Sequence, residues 1–266
     1  LVWFNYVVVH IEGGVVANGF VTSESSVVSP GECKSLSGSS IWLLKPVVGR
    51  TSMEVVIGDR SNPLTIAAGQ TTLVATTAGV KVVSTEGPWR FHKISLCEAA
   101  KLLVFLERNR QTALPFTAGK SRQREVVIDT PGDLTVWNFE PWLIGRAVRW
   151  DPRDVPLFDF LRAQETYGLV RFLLDESAGI TSIAALSQRY GVSASHFRRL
   201  CRQALGKGLK LELRQWRAAM AVLDVVEGSE SFTDLASRHG FSSSSHFSRE
   251  IKNLFGFSPR QVRRRT

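Results

Sequence analysis

Two stretches of the chain place the same side chains at the same intervals. Residues 193–206 read SASHFRRLCRQALG and residues 243–256 read SSSHFSREIKNLFG. His196 and His246, Phe197 and Phe247, Arg199 and Arg249, and Gly206 and Gly256 each lie 50 positions apart. Wound as helices, both copies have two faces. In the first, Phe197, Leu200, Cys201, Ala204 and Leu205 form an apolar face, while Ser195, Arg198, Arg199 and Arg202 fall at i, i+3, i+4 and i+7 on another. In the second, Phe247, Ile251, Leu254 and Phe255 are the apolar set. Ser245, Ser248, Arg249 and Lys252, with Ser244 beside them, are the polar one. A guanidinium so presented can grip a phosphate or read a guanine edge through two parallel hydrogen bonds, and a hydroxyl can bond to either. A merely solvated basic face explains one such helix; it does not explain why the polar positions recur in step with the apolar ones.

Such a helix must be held by others. Each copy follows a shorter helical stretch and a glycine-containing turn, ITSIAALSQRYGVS before the first and SFTDLASRHGFSS before the second. Ser231 and Asp234 supply an N-terminal cap, and the small residues Ser187 and Ala236 stand where two helices would cross closely. Short helix, turn and basic helix is the order of a helix-turn-helix, whose second helix enters the major groove. Gly191 and Gly240 are 49 apart, against 50 for the later matches, so the second turn holds one extra residue. Between the copies, LKLELRQWRAAMAVLDVVEG (209–228) predicts one continuous helix. Residues 209–227 span about 28 Å at the helical rise, near the roughly 34 Å of one DNA turn.

The charge agrees with this. Of the net charge of +9, residues 1–160 carry 16 basic against 15 acidic side chains, and residues 161–266 carry 17 against 9. The excess sits in the C-terminal part, mostly as arginine, which points to a polyanionic partner such as nucleic acid. No apolar run reaches the length of a membrane span. The apolar start, LVWFNYVVVH, is short and lacks the basic flank of a signal peptide. Three dispersed cysteines, Cys33, Cys97 and Cys201, fit no disulfide framework and suit a reducing cytoplasm.

The expected fold is an α+β N-terminal domain (1–150), a linker (151–159, in WDPRDVPLF) and an all-α C-terminal domain (160–266) with two helix-turn-helix motifs joined by the linker helix. Residues 1–40 are expected to be mobile, with the Ser- and Gly-rich 21–40 a loop or arm. IWLLKPVV, MEVVIG and TTLVATTAGVKVVST read as strands. Residues 95–110 form a helix with Leu96, Ala99, Ala100, Leu103 and Leu106 on one face and Ser95 and Glu98 as its capping box. EVVI and LTVWNF, split by DTPGD, predict a hairpin.

The stretch GFSSSSHFSREIKNLFGFSPRQVRRR (240–265) resembles the signature of AraC/XylS-type transcription regulators, with matches at Gly240, Phe241, Phe247, Arg249, Lys252, Gly256, Ser258 and Pro259. RYGVSASHFRRLC and the WR…VEG helix are similar to the InvF/MxiE/BsaN group, which activates type III secretion genes. The resemblance covers about residues 160–266. It implies DNA contacts from Ser195, Arg198, Arg199 and Arg202 in the first recognition helix and from Ser244, Ser245, Ser248, Arg249 and Lys252 in the second. It also implies promoter DNA and RNA polymerase as partners, and a secretion chaperone bound through the N-terminal domain. The aromatic stretch WNFEPWLIGRAVRW (137–150) is a candidate contact surface, or else core. Three departures stand out: Glu250 occupies the position of apolar Leu200 and is expected at a rim, the first copy ends GKG where the second has GFSP, and Val262 replaces an aromatic.

Two rival functions are weighed against this. A DNA-repair methyltransferase would need a reactive cysteine in a basic setting. Cys201 faces inward, Cys33 and Cys97 lack such neighbours, His10 and His92 are isolated, and GDRSNP and AGKSRQ lack phosphate-loop spacing. No catalytic, metal or cofactor residue is assigned. A regulator answering to a small effector in the N-terminal domain shares the DNA-binding half and differs only in its control.

Overall fold

The computed structural model describes residues 21–108, 125–130, 134–149, 151–176, 182–205, 208–228 and 230–263. The apolar start, AGKSRQ, Trp150, Gly179 and Gly206 lie outside them. The described residues divide into two compact units, one up to residue 168 and the other from residue 169 onward.

The first unit is β-rich. Its strands are β1 (Val21–Val28), β2 (Cys33–Leu36), β3 (Ser40–Pro46), β4 (Thr51–Ile57), β5 (Arg60–Ile66), β6 (Thr71–Thr76), β7 (Val80–Glu86), β8 (Trp89–Ile94) and β9 (Glu125–Thr130). They form two antiparallel sheets of order β1-β8-β3-β6-β9 and β2-β7-β4-β5. Met53, Val55 and Ile57 alternate inward along β4, and Val80, Val82 and Ser84 along β7, the pattern of a sheet wet on one side. They share one core with Trp42, Leu44, Val74, Trp89 and Phe91 of the other sheet. Ile41, Leu43, Leu73 and Ala75, on the opposite face of β3 and β6, are buried too. The five-stranded sheet is thus covered on both sides along β3 and β6, which is why β3 carries the unbroken apolar run Ile41–Leu44.

Three expectations for this unit are corrected. Residues 21–40 are not an arm: they hold β1 and β2, and β1 pairs with β8 about 65 residues later, at Val27↔Arg90 and Val28↔Trp89. EVVI and LTVWNF form no hairpin. β9 pairs instead with β6, from Thr71↔Thr130 to Thr76↔Glu125. Asn138 Oδ1 accepts from the Thr135 amide (2.6 Å) and hydroxyl (3.0 Å), and its carbonyl accepts from the Trp142 amide. That turn starts helix α2 (Phe139–Arg149), with Pro141 in the first turn, where a missing N–H costs nothing. Helix α1 (Leu96–Arg108) precedes it, with Ser95 Oγ accepting from the Glu98 amide as expected.

The segment read as a linker is ordered structure of this first unit. Asp151 caps a single 3-10 turn, Pro152–Asp154, and helix α3 (Val155–Arg162) buries Leu157, Phe158, Phe160 and Leu161 against α1 and β9. Arg162 bonds to Glu107 (2.6 Å) and Asp159 (2.8 Å). The division between the units falls at Gly168, inside helix α4 (Glu165–Glu176).

The second unit is helical: α5 (Ile183–Tyr190), α6 (Ala194–Leu205), α7 (Leu209–Glu227), α8 (Phe232–Arg238), α9 (Ser244–Phe255) and α10 (Pro259–Arg263). Helix α7 runs unbroken over the stretch that the sequence predicts. Its C-terminal half contributes Ala218, Ala221, Val222 and Val225 to a core shared with Leu235 and Ala236 of α8, Phe247, Ile251 and Phe255 of α9, and Val262 of α10. Val262, at 2% exposure, fills the place of the expected aromatic.

Candidate nucleic-acid interface

Helices α5 and α8 end alike. The Gly191 amide bonds to the Gln188 carbonyl and the Val192 amide to that of Ser187; the Gly240 and Phe241 amides bond to those of Ser237 and Ala236. Both glycines have positive φ, 82° and 67°, as this paired closure requires. Ser187 and Ala236 are both buried. Val192 and Phe241 are 49 apart. Ser193 and Ser243, the caps of α6 and α9, are 50 apart and accept the amides of His196 (3.3 Å) and His246 (3.0 Å). Ser242 is therefore the extra residue of the second turn, and its hydroxyl lies 2.9 Å from His246 Nδ1.

These turns launch α6 and α9 with their apolar faces buried as expected. Phe197, Leu200, Cys201, Ala204 and Leu205 are buried, as are Phe247, Ile251 and Phe255, with Leu254 partly so. On the other face, Ser195, Arg198, Arg199 and Arg202 of α6 and Ser245, Arg249 and Lys252 of α9 are exposed; Ser244 and Ser248 are half-buried.

The arginines of this unit divide by partner. Arg189 pairs with Glu176 (2.9 Å), Arg238 with Asp224 (3.1 Å) and Glu230, and Arg214 with Glu250. Arg198, Arg199, Arg202, Arg249 and Lys252 have no ion-pair or hydrogen-bond partner among the described residues. Five exposed cations on α6 and α9 are thus left unneutralised, whereas Arg189, Arg214 and Arg238 are tied down. Among the described residues, no group of three or more His, Cys, Asp or Glu side chains gathers at metal-binding distance, and no helix is long and apolar enough to cross a membrane.

Glu250 is corrected from rim to interior. Its side chain is 7% exposed, on the helix face of Phe247 and Ile251, and takes a two-point contact from the Arg214 guanidinium. That hydrogen bonding holds its carboxyl below the usual range against the opposing effect of burial, with Arg217 and His246 adding positive charge nearby. Arg214 is a residue the repeat did not single out. Lys210, Arg214 and Arg217, at i, i+4 and i+7 along α7, carry the signal that could have found it.

In the first unit, Trp137 is 69% exposed, whereas Trp142 is half-buried, 5.7 Å from Phe139 and 5.5 Å from the Arg146 guanidinium.

Comparison with known proteins bears on this geometry. Residues 186–265 match the family model of a helix-turn-helix domain. The chain is 37% identical over 185 residues to the invasion protein InvF of Salmonella typhi, covering 68% of this chain and 84% of that one. It is 42% identical over 104 residues to the transcriptional regulator MxiE of Shigella flexneri, 38% of this chain and 50% of that one. A solved AraC-type transcriptional regulator from Chromobacterium violaceum is 28% identical over 36% of this chain and 89% of its own, with a TM-score of 0.34. The chain belongs to the AraC-type transcription regulators, in the group of InvF and MxiE.

Proposed function

We propose that the chain is a sequence-specific DNA-binding activator of type III secretion and virulence genes, working in the cytoplasm without catalysis and requiring a secretion chaperone as coactivator. The observation that carries the DNA-binding half is the set of five partnerless cations on α6 and α9, each helix launched by the same glycine turn and serine cap. Helices α5–α6 and α8–α9 are read as two helix-turn-helix motifs. Ser195, Arg198, Arg199 and Arg202 contact DNA from the first recognition helix, and Ser244, Ser245, Ser248, Arg249 and Lys252 from the second. Helix α7, about 28 Å long at the helical rise, presents both to one face of the duplex. The chaperone half rests on resemblance. The likeness to InvF extends over 185 residues, more than the helical unit holds, and so into the β-rich unit. Exposed Trp137 and Val148 offer that unit an apolar contact. RNA polymerase is the downstream partner.

Two experiments test this reading. Arg199→Ala or Arg249→Ala is expected to cost roughly 1–3 kcal/mol of specific binding and to relax one base position, whereas Arg202→Ala weakens all sequences alike and lowers the salt slope. Equal losses on specific and random DNA for all three would reverse those assignments. A promoter reporter in a heterologous bacterium, with this chain alone and with each candidate secretion chaperone, is expected to respond only to the pair.

Response to the chain alone would favour control by a small effector. One observation supports that second reading. Trp42 Nε1, Trp89 Nε1 and Ser84 Oγ, all buried on inward faces of the two sheets, lack a hydrogen-bond partner among the described residues. A thermal shift with small polar metabolites distinguishes it.

A further inference from the structure

We infer that the Arg214–Glu250 ion pair is the device that sets the rotation of α9 against α7, and that both are positioning residues for base reading by the second recognition helix. The inference rests on the DNA-binding reading above.

Glu250 stands directly after Arg249, the proposed base reader, yet its side chain is buried and turned to Arg214 of α7, on the helix face that carries Phe247 and Ile251. Its counterpart in α6 is Leu200, which is buried without any charge. A leucine would pack here as well, and exchanging a buried charge and its partner for apolar residues is often neutral or stabilising. Stability is therefore a poor reason for the pair. Geometry is a better one. An apolar contact lets a helix slide or turn by small amounts at little cost, whereas a two-point guanidinium–carboxylate contact has one good arrangement. Here Nη2 lies 2.7 Å from Oε2, and Nε bonds to Oε1. Successive residues on a helix are about 100° apart, so fixing Glu250 fixes the direction of Arg249. Bidentate base reading tolerates little error in that direction.

Arg214 suits the role. Its side chain is 52% exposed, so it reaches the seam from the outside of α7, and it neutralises a carboxylate that would otherwise be buried without a counter-charge. The first copy has no such pair at Leu200, so the effect should fall on one half of the recognised sequence.

The test uses the full chain and a duplex that the wild type selects from a randomised pool, with a scrambled duplex as control. The variants are Arg214→Met, Arg214→Lys, Glu250→Leu and the double Arg214→Met/Glu250→Leu; circular dichroism and Tm establish folding. The double variant removes both charges and keeps an apolar filler, so it carries the test even if Arg214→Met fails to fold. It is expected to melt within a few degrees of the wild type but to lose about tenfold or more of its preference at the bases read by α9, with those read by α6 unchanged. Arg214→Lys, a one-point contact, is expected to fall between. Wild-type preference at every position in the double variant overturns the inference. So does a uniform loss on both duplexes with a reduced salt slope, which would make Arg214 a phosphate contact. A wild type that selects no sequence refutes the DNA-binding reading instead, a different result from either.

Discussion

At the level of single atoms, cysteine chemistry is where a DNA-modifying enzyme would differ from a regulator. Burial in the face that α6 turns inward pushes the Cys201 thiol up to about 11, far from a nucleophile's range. Cys33 is exposed, and Cys97 is half-buried with Thr166 Oγ1 at 3.5 Å. Alkylation of the native protein at about pH 8 should label Cys33 first and Cys201 only after unfolding, with DNA binding intact; rapid native labelling of Cys201 would show that α6 opens. Asp154 poses a second question of burial. It is 1% exposed, with Arg146 Nη1 3.5 Å away, and desolvation outweighs that cation and raises its pKa. The folded chain then holds this proton more tightly than the unfolded one. Stability is lost as pH rises from the ordinary carboxylate value through the raised one, and the penalty persists at neutral pH. Asp154→Asn should raise Tm at neutral pH and remove that part of the acid-side profile. A lower Tm would mean that the Arg146 pair outweighs desolvation.

Among elements, the same substitution should act with opposite sign at two glycines. Gly191 closes α5 at φ 82°, and a Cβ there meets nothing within 4 Å, so Gly191→Ala should cost only the left-handed backbone penalty, about 1–2 kcal/mol. Gly145 lies inside α2 with equally open space and no positive φ, so Gly145→Ala should stabilise by about 0.5–1 kcal/mol. Denaturant midpoints of the two variants decide it; a loss at both would mean that α2 is held by more than local preference. The contrast also explains what the sequence made legible. The helices of the second unit announce themselves locally, through the 3.6-residue period, the serine caps and the glycine stops, so α7 could be bounded to the residue. Strands β1 and β2 carry Ser, Glu and Lys in place of a clean apolar alternation, and what makes them strands is a partner such as β8, far along the chain. LTVWNF alternates like a strand, yet the Asn138 side chain and Pro141 turn it into a helix start, a local signal stronger than the period-two pattern. The stripe on α6 and α9 was legible because it repeats; the Arg214–Glu250 pair was not, because its halves lie 36 residues apart on helices that only tertiary structure brings together.

For the whole molecule, charge is the property that a single titration can read. The excess of eight positive charges after residue 160 is not spread evenly over function, because Arg189, Arg214 and Arg238 are already paired internally. On α6 and α9, Arg198, Arg199, Arg202, Arg249 and Lys252 remain unpaired among the described residues. Each phosphate neutralised releases about 0.9 of a counterion from duplex DNA, so five phosphate contacts would give a log–log salt slope near −4.5. If Arg199 and Arg249 read bases instead, the three others give a slope of about −2.7. Affinity for a selected duplex, measured from low to physiological salt, should therefore fall with a slope between these values. The Arg198→Ala/Arg202→Ala double variant should flatten it by about 1.8. A wild-type slope clearly steeper than −4.5 would bring in cations outside the two helices, with Lys210 and Arg217 of α7 and Arg260 of α10 the exposed candidates. A slope near zero would leave the basic stripes without a polyanion to meet, and the case for both of them as DNA-reading surfaces would fall together.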